Sequence, residues 1–107
     1  MAFFELREYR IKDGRMAEWV EFMEKEIIPF QVSKGMVVVG SFTAEEEEDL
    51  YIWIRRFESE EEREKLYEAV YQDPEWTDNM SDRVGDIMDR EKIVVRRILA
   101  TSRSVTQ

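Results

Sequence analysis

The chain has 107 residues, 43% of them hydrophobic, enough for one domain around a single core, and no apolar run approaches a membrane span, which predicts a cytoplasmic protein. It contains no histidine and no cysteine, which excludes imidazole bases, Ser-His-Asp and Cys-His nucleophiles, thiolate zinc sites, histidine-ligated haem and disulfides. The net charge of −9 resides in EEEED at 45–49 and ESEEERE at 58–64, and the balanced remainder has no basic stripe interleaved with aromatics, so no nucleic-acid partner is expected.

Residues 3–11 (FFELREYRI) alternate with period two and are followed by an Asp13-Gly14 turn signal, which predicts a first strand. Met16, Trp19, Val20, Met23, Ile27 and Phe30 then fall on one face of a helix. Pro29 predicts a kink or stop near Ile28, with helix resuming from Phe30 to Ser33 and Gly35 at the left-handed position beyond its end. The runs 36–44 (MVVVGSFTA) and 50–58 (LYIWIRRFE) read as strands two and three, joined as a hairpin across the five acids, with Gly40 marking a bulge. Ser59 and Glu62 form a capping box ahead of Leu66, Ala69 and Val70, opening a second helix. QDPE at 72–75 breaks it. Trp76, Met80, Val84, Ile87 and Met88 then recur at helical spacing before EKIVVRRIL (91–99) returns to strand character.

This order predicts an α+β domain over residues 1–99, a ferredoxin-like βαββαβ unit with an additional helix before the last strand, and a polar tail at 100–107 that frays or drapes over a partner subunit. The four-stranded antiparallel sheet has helices on one face only. The face opposite them is expected to carry Phe3, Glu5, Arg7, Tyr9 and Ile11 from strand one and Tyr51, Trp53, Arg55 and Phe57 from strand three. So aromatic a surface predicts a homodimer formed through that sheet face.

The opening FELREYRIKDG resembles the first strand and turn of the NIPSNAP family. IIPFQVSKGM (27–36), VGSFT (39–43), YIWIRRFESEEER (51–63), LYEAVY (66–71) and PEW (74–76) are similar, in order, to the family's remaining blocks across nearly the whole chain. The resemblance implies a small bacterial-type member and a dimeric α/β barrel, in which two protomers pack their sheets together. It implies no particular activity, because the family generally lacks an established one.

With imidazole and thiol absent, proton transfer is left to carboxylate, Tyr, Lys, Arg-assisted polarisation and bound water. The candidate constellation is Glu5, Arg7 and Tyr9, which share one face of strand one, with Trp53 and Arg55 on the neighbouring strand. Guanidinium grips carboxylate or enolate oxygens and indole supplies a stacking wall, so the group suits a small anionic or aromatic metabolite. Against this stands a purely structural role, an ion pair of Glu5 with Arg7 or Arg55 inside the dimer interface. Phe30, beyond the proline, borders the expected cleft, and Trp76 is either a lid or a core anchor. The methionines fall largely on apolar helix faces, and the acid runs lack calcium-loop spacing, so neither metal nor cofactor is expected. Two readings stand: a dimeric module that binds a small molecule, and a cofactor-independent isomerase, lyase or monooxygenase in which Arg7 and Arg55 hold oxyanion charge while Tyr9 or Glu5 moves the proton.

Overall fold

The computed structural model describes residues 1–107. Strand β1 (Phe3–Ile11) leads through the turn, where Gly14 takes a φ of 68°, into α1 (Met16–Phe22). A π-helical turn, Met23–Ile27, follows without interruption, and α2 (Ile28–Ser33) completes the run. Of the kink or stop expected near Ile28, the stop does not occur. The Ile28 N–H reaches back to the Met23 carbonyl, one residue further than in an α-helix, so the backbone register resets just before the proline. Pro29 then lies in the first turn of α2, where its lack of an N–H is tolerated. The run ends as its glycine predicts: Gly35, with a φ of 106°, donates to Val32 and Met36 donates to Gln31, the paired bonds of a Schellman end.

β2 (Val37–Thr43) and β3 (Leu50–Phe57) form the hairpin, with a register shift between Val38 and Gly40 where the bulge is expected. α3 (Glu60–Tyr71) starts at Ser59, whose hydroxyl accepts the Glu62 N–H, while the Glu62 carboxylate accepts the N–H of Glu58. A second π-helical turn, Trp76–Met80, runs into α4 (Ser81–Ile87). β4 (Met88–Ile98) begins three residues earlier than the sequence pattern suggests, and Met88 belongs to the strand rather than the helix. Its backbone pairs with Ile11, and that non-local ladder outweighs the helical spacing of its side chain.

The strands lie in the order β2-β3-β1-β4, every neighbour antiparallel. Phe3 opposes Phe57, Glu5 opposes Arg55, Arg7 opposes Trp53 and Tyr9 opposes Tyr51, so one sheet face carries a ladder of cross-strand pairs. The helices cover this face, which corrects the expectation that it lies open. Trp19, Met23 and Ile27 pack on Tyr9, Tyr51 and Trp53 in the main core, and Val70 packs on Phe3 and Phe57 in a smaller cluster. A large aromatic surface is desolvated most directly by elements already tethered to it. Glu5 and Arg55 form a buried polar layer between the two clusters. The face left without helices carries Phe4, Leu6, Ile52 and Ile54, with Val39 and Phe42 from β2 and Ile98 from β4. Phe4 is nonetheless buried, and the tail residues Thr101, Ser104 and Thr106 border the same hollow. The tail therefore lies over the sheet of its own chain, held by a bond from Arg56 Nε to the Gln107 carbonyl.

Candidate functional site

A cavity of about 250 Å³ opens between the sheet and the helices. β1 contributes Arg7 and Tyr9 to its wall, and β3 contributes Trp53. Trp19, Met23, Ile27 and Gln31 descend from the first helical run, and Tyr67 and Tyr71 from α3. Trp76 and Val84 close the far side beside Met88, Arg90 and Ile93. Irregular backbone makes room for several of these. Both π-helical turns supply wall residues, and in β4 the stretch Arg90 to Ile93 stands opposite the single residue Tyr9, which carries Arg90 and Ile93 to the cavity.

Of the residues singled out from the sequence, Arg7, Tyr9, Trp53 and Trp76 meet on this wall. Trp76 is half-buried, packs on the main core and meets Tyr71 edge to face at 4.9 Å, so it is a wall as well as an anchor. Phe30 is not on the wall; it packs between the two clusters with Lys34 over its ring. Glu5 and Arg55 lie behind the cavity in a closed network. Arg55 Nη2 donates to Glu5 Oε1 at 2.8 Å, Arg63 Nε donates to Glu5 Oε2 at 2.7 Å, and the Tyr67 hydroxyl donates to Oε1 at 2.6 Å. The ion pair weighed above is thus formed, but within one chain and between adjacent strands rather than across a dimer interface.

The network sets the charge states. Burial pushes the Glu5 carboxyl up, but hydrogen bonds from Tyr67 and Arg63 together with Arg55 outweigh it and hold the group at about 2, against an ordinary 4.5. Glu5 is ionised with both oxygens engaged and is no free base near neutral pH. Burial pushes the Tyr67 phenol up to about 12, the Arg55 charge opposing and the bond to Glu5 adding to the rise. The buried Tyr9 phenol is raised as well, with Arg7 opposing the burial.

Arg7 differs from Arg55 and Arg63. Both of those have carboxylate partners, whereas no hydrogen bond or ion pair engages Arg7; its Nε, like that of Arg55, is buried without an acceptor, and its guanidinium stands 5.6 Å from the Tyr9 ring centre. The indole N–H groups of Trp19 and Trp53 are likewise buried and unpartnered. The site is rich in donors and cationic, with aromatic walls. No group of three or more acidic residues is placed to hold a metal ion, and no helix is long and apolar enough to cross a membrane.

The NIPSNAP family model matches residues 4–103, nearly the whole chain. The chain belongs to the NIPSNAP family. Among solved structures it is similar to a NIPSNAP family protein from Agrobacterium tumefaciens at 22% identity, with 100% of both chains covered and a TM-score of 0.87. A second Agrobacterium tumefaciens NIPSNAP family protein, of unknown function, matches at 23% identity over 99% of this chain and 94% of its own, with a TM-score of 0.88. An uncharacterized NIPSNAP-like domain protein from Burkholderia xenovorans matches at 19% over 96% and 88%, with a TM-score of 0.85. At these identities the structures establish the NIPSNAP fold, and they assign no chemistry. No match is found among curated proteins.

The sequence reading missed Trp19, Tyr67, Tyr71, Arg63 and Arg90. A signal existed for three of them: Arg63, Tyr67 and Tyr71 recur every four residues and so share one face of α3. Arg90 carried none, because its place on the wall depends on the excursion in β4.

Proposed function

We propose that this NIPSNAP protein binds a small planar acid, such as a single-ring carboxylate, in the cavity beside the sheet, with Arg7 as counter-charge. The observation that carries this reading is the half-buried guanidinium of Arg7, which has no partner in the chain and sits on a wall that holds no carboxylate. Guanidinium matches a carboxylate through two parallel N–H donors, and the surrounding indole and phenol rings suit an aromatic plane. The volume is that of a single-ring ligand rather than a fused ring system. The enzyme reading is weaker, because Glu5, the carboxylate it would use to move a proton, has both oxygens committed to Arg55, Arg63 and Tyr67.

The same proposal includes a homodimer formed through the helix-free sheet face. Apolar side chains on it, among them Phe42 at 53% exposure and Val39 at 40%, support a second copy as its cover. The lack of cysteine fits a reducing cytoplasm.

All three tryptophans, Trp19, Trp53 and Trp76, line the cavity, so intrinsic fluorescence reads its occupancy directly. Benzoate is expected to quench it saturably, and Arg7→Met to weaken that binding at least about tenfold, the loss of one charge-assisted contact. Quenching that is equal in wild type and Arg7→Met would remove the assignment.

A further inference from the structure

Although 25 of 107 residues are acidic, none of them lines the cavity. The charged or titratable side chains on its wall are Arg7 and Tyr9 from β1, Tyr67 and Tyr71 from α3, and Arg90 from β4. The first helical run and the segment from Trp76 to Val84 face it with apolar side chains and Gln31. Behind the wall stand Arg55 from β3 and the fully engaged Glu5. The direction of the hydrogen bonds is as informative as the charge. Arg55 Nη1 donates to the Tyr71 oxygen at 2.9 Å, and Gln31 Nε2 points a longer contact of 3.4 Å at the same atom. With both lone pairs addressed, the Tyr71 hydroxyl is left to donate, and no acceptor in the chain receives its proton. The Arg7 guanidinium has no acceptor capacity at all and no partner. Donors left unmatched beside one cavity call for a ligand that brings acceptors alone.

We propose that the cavity takes phenols and enols as their conjugate bases. The ligand O–H bond breaks, its oxygen keeps the electron pair between Arg7 and the Tyr71 hydroxyl, and the proton passes to bulk water. This rests on the planar-acid reading above and adds that the site ionises what it binds, delivering a phenol or enol in its more nucleophilic form. Desolvation opposes the step, and Glu5 shows how these donor types fare against it. A carboxylate buried to 1% exposure stays ionised there because a phenol and two guanidiniums donate to it. Arg7 and Tyr71 offer one of each kind.

The probe is 4-nitrophenol, which titrates near neutrality and absorbs in the visible only as the phenolate. Its absorbance is followed against pH with and without excess protein, while tryptophan quenching independently reports that it is bound. The pKa of the bound probe is expected to fall by about one to three units. Arg7→Met should abolish the shift, and Tyr71→Phe, which keeps the ring and removes the donor, should reduce it. If Tyr71→Phe does not fold, the wild-type titration and Arg7→Met decide the matter. A bound probe that titrates as it does in water, or a shift that persists undiminished in Arg7→Met, overturns the inference and leaves the cavity as a binding site. Quenching by neither benzoate nor 4-nitrophenol overturns both.

Discussion

Arg7 and Arg55 are both guanidiniums on the same sheet face, two rungs of the β1–β3 ladder apart at most, and their surroundings give them different work. Arg55 is fully buried and donates to Glu5, Gln31, Tyr67 and Tyr71, so it acts as the strut between the two core clusters. Arg7 keeps its donors free. Removing the Glu5 charge leaves Arg55 uncompensated in a dry layer, and Glu5→Gln is expected to cost about 3–5 kcal/mol in urea unfolding at neutral pH. Acid should reveal the same group. Because the folded-state pKa of about 2 lies below the ordinary 4.5, the stabilisation is complete above pH 4.5 and is lost as pH falls toward 2. Wild type should therefore lose about 3 kcal/mol across that window, and Glu5→Gln should show a correspondingly shallower decline. Parallel acid profiles for the two proteins would show that Glu5 is not the group responsible. The pairing partners were legible in the sequence, since alternation puts Glu5 and Arg55 on one face of adjacent strands. Their burial within one chain was not.

Among the elements, local chemistry sets the ends and tertiary packing sets the interiors. Ser59 begins α3 because its hydroxyl satisfies the Glu62 N–H and three glutamates follow in the first turn, where the helix dipole favours negative charge. Ser59→Ala should lower stability by about 1 kcal/mol, while Ser59→Asp, which keeps an acceptor, should retain most of it; chemical denaturation measures both. α3 must hold its register for a further reason, since Arg63, Tyr67 and Tyr71 reach the network and the cavity from one of its faces. The two π-helical turns have no such local signature. Nothing in MEKEI or WTDNM distinguishes them from ordinary helix, and each places a hydrophobic residue on the cavity wall by adding a residue to the turn. Pro29 marks where the first lies, but the chain accommodates it by widening rather than breaking.

At the level of the molecule, one sheet face is consumed by the helices and the other is covered only in part by the tail. Leu99 is 63% exposed and Phe42 53%, on or beside that second face. Under the homodimer proposal, Phe42→Asp sets a charge against an apolar partner surface and should shift sedimentation from dimer to monomer at micromolar concentration, with the fold retained because the site is exposed. A wild-type protein that sediments as a monomer would remove the proposal. Such a monomer would also leave the cavity unchanged, since every residue of its wall comes from one chain.

Hydrophobic period, cap residues and turn glycines are local quantities, and from them the sequence by itself determined the strand and helix order, the hairpin and the bulge at Gly40, while the NIPSNAP membership rests on the order of its sequence blocks and the family match over residues 4–103. Period-two alternation sorts residues into two faces but does not say which face the helices take. Here the usual contrast is missing, because Phe3, Tyr9 and Trp53 on one side are matched by Phe4, Leu6 and Ile54 on the other. Only the tertiary structure decided that the aromatic, Arg-bearing side faces inward. That choice converts Glu5 and Arg55 into a strut, leaves Arg7 without a partner, and brings Tyr71 from 64 residues further along the chain to the same cavity.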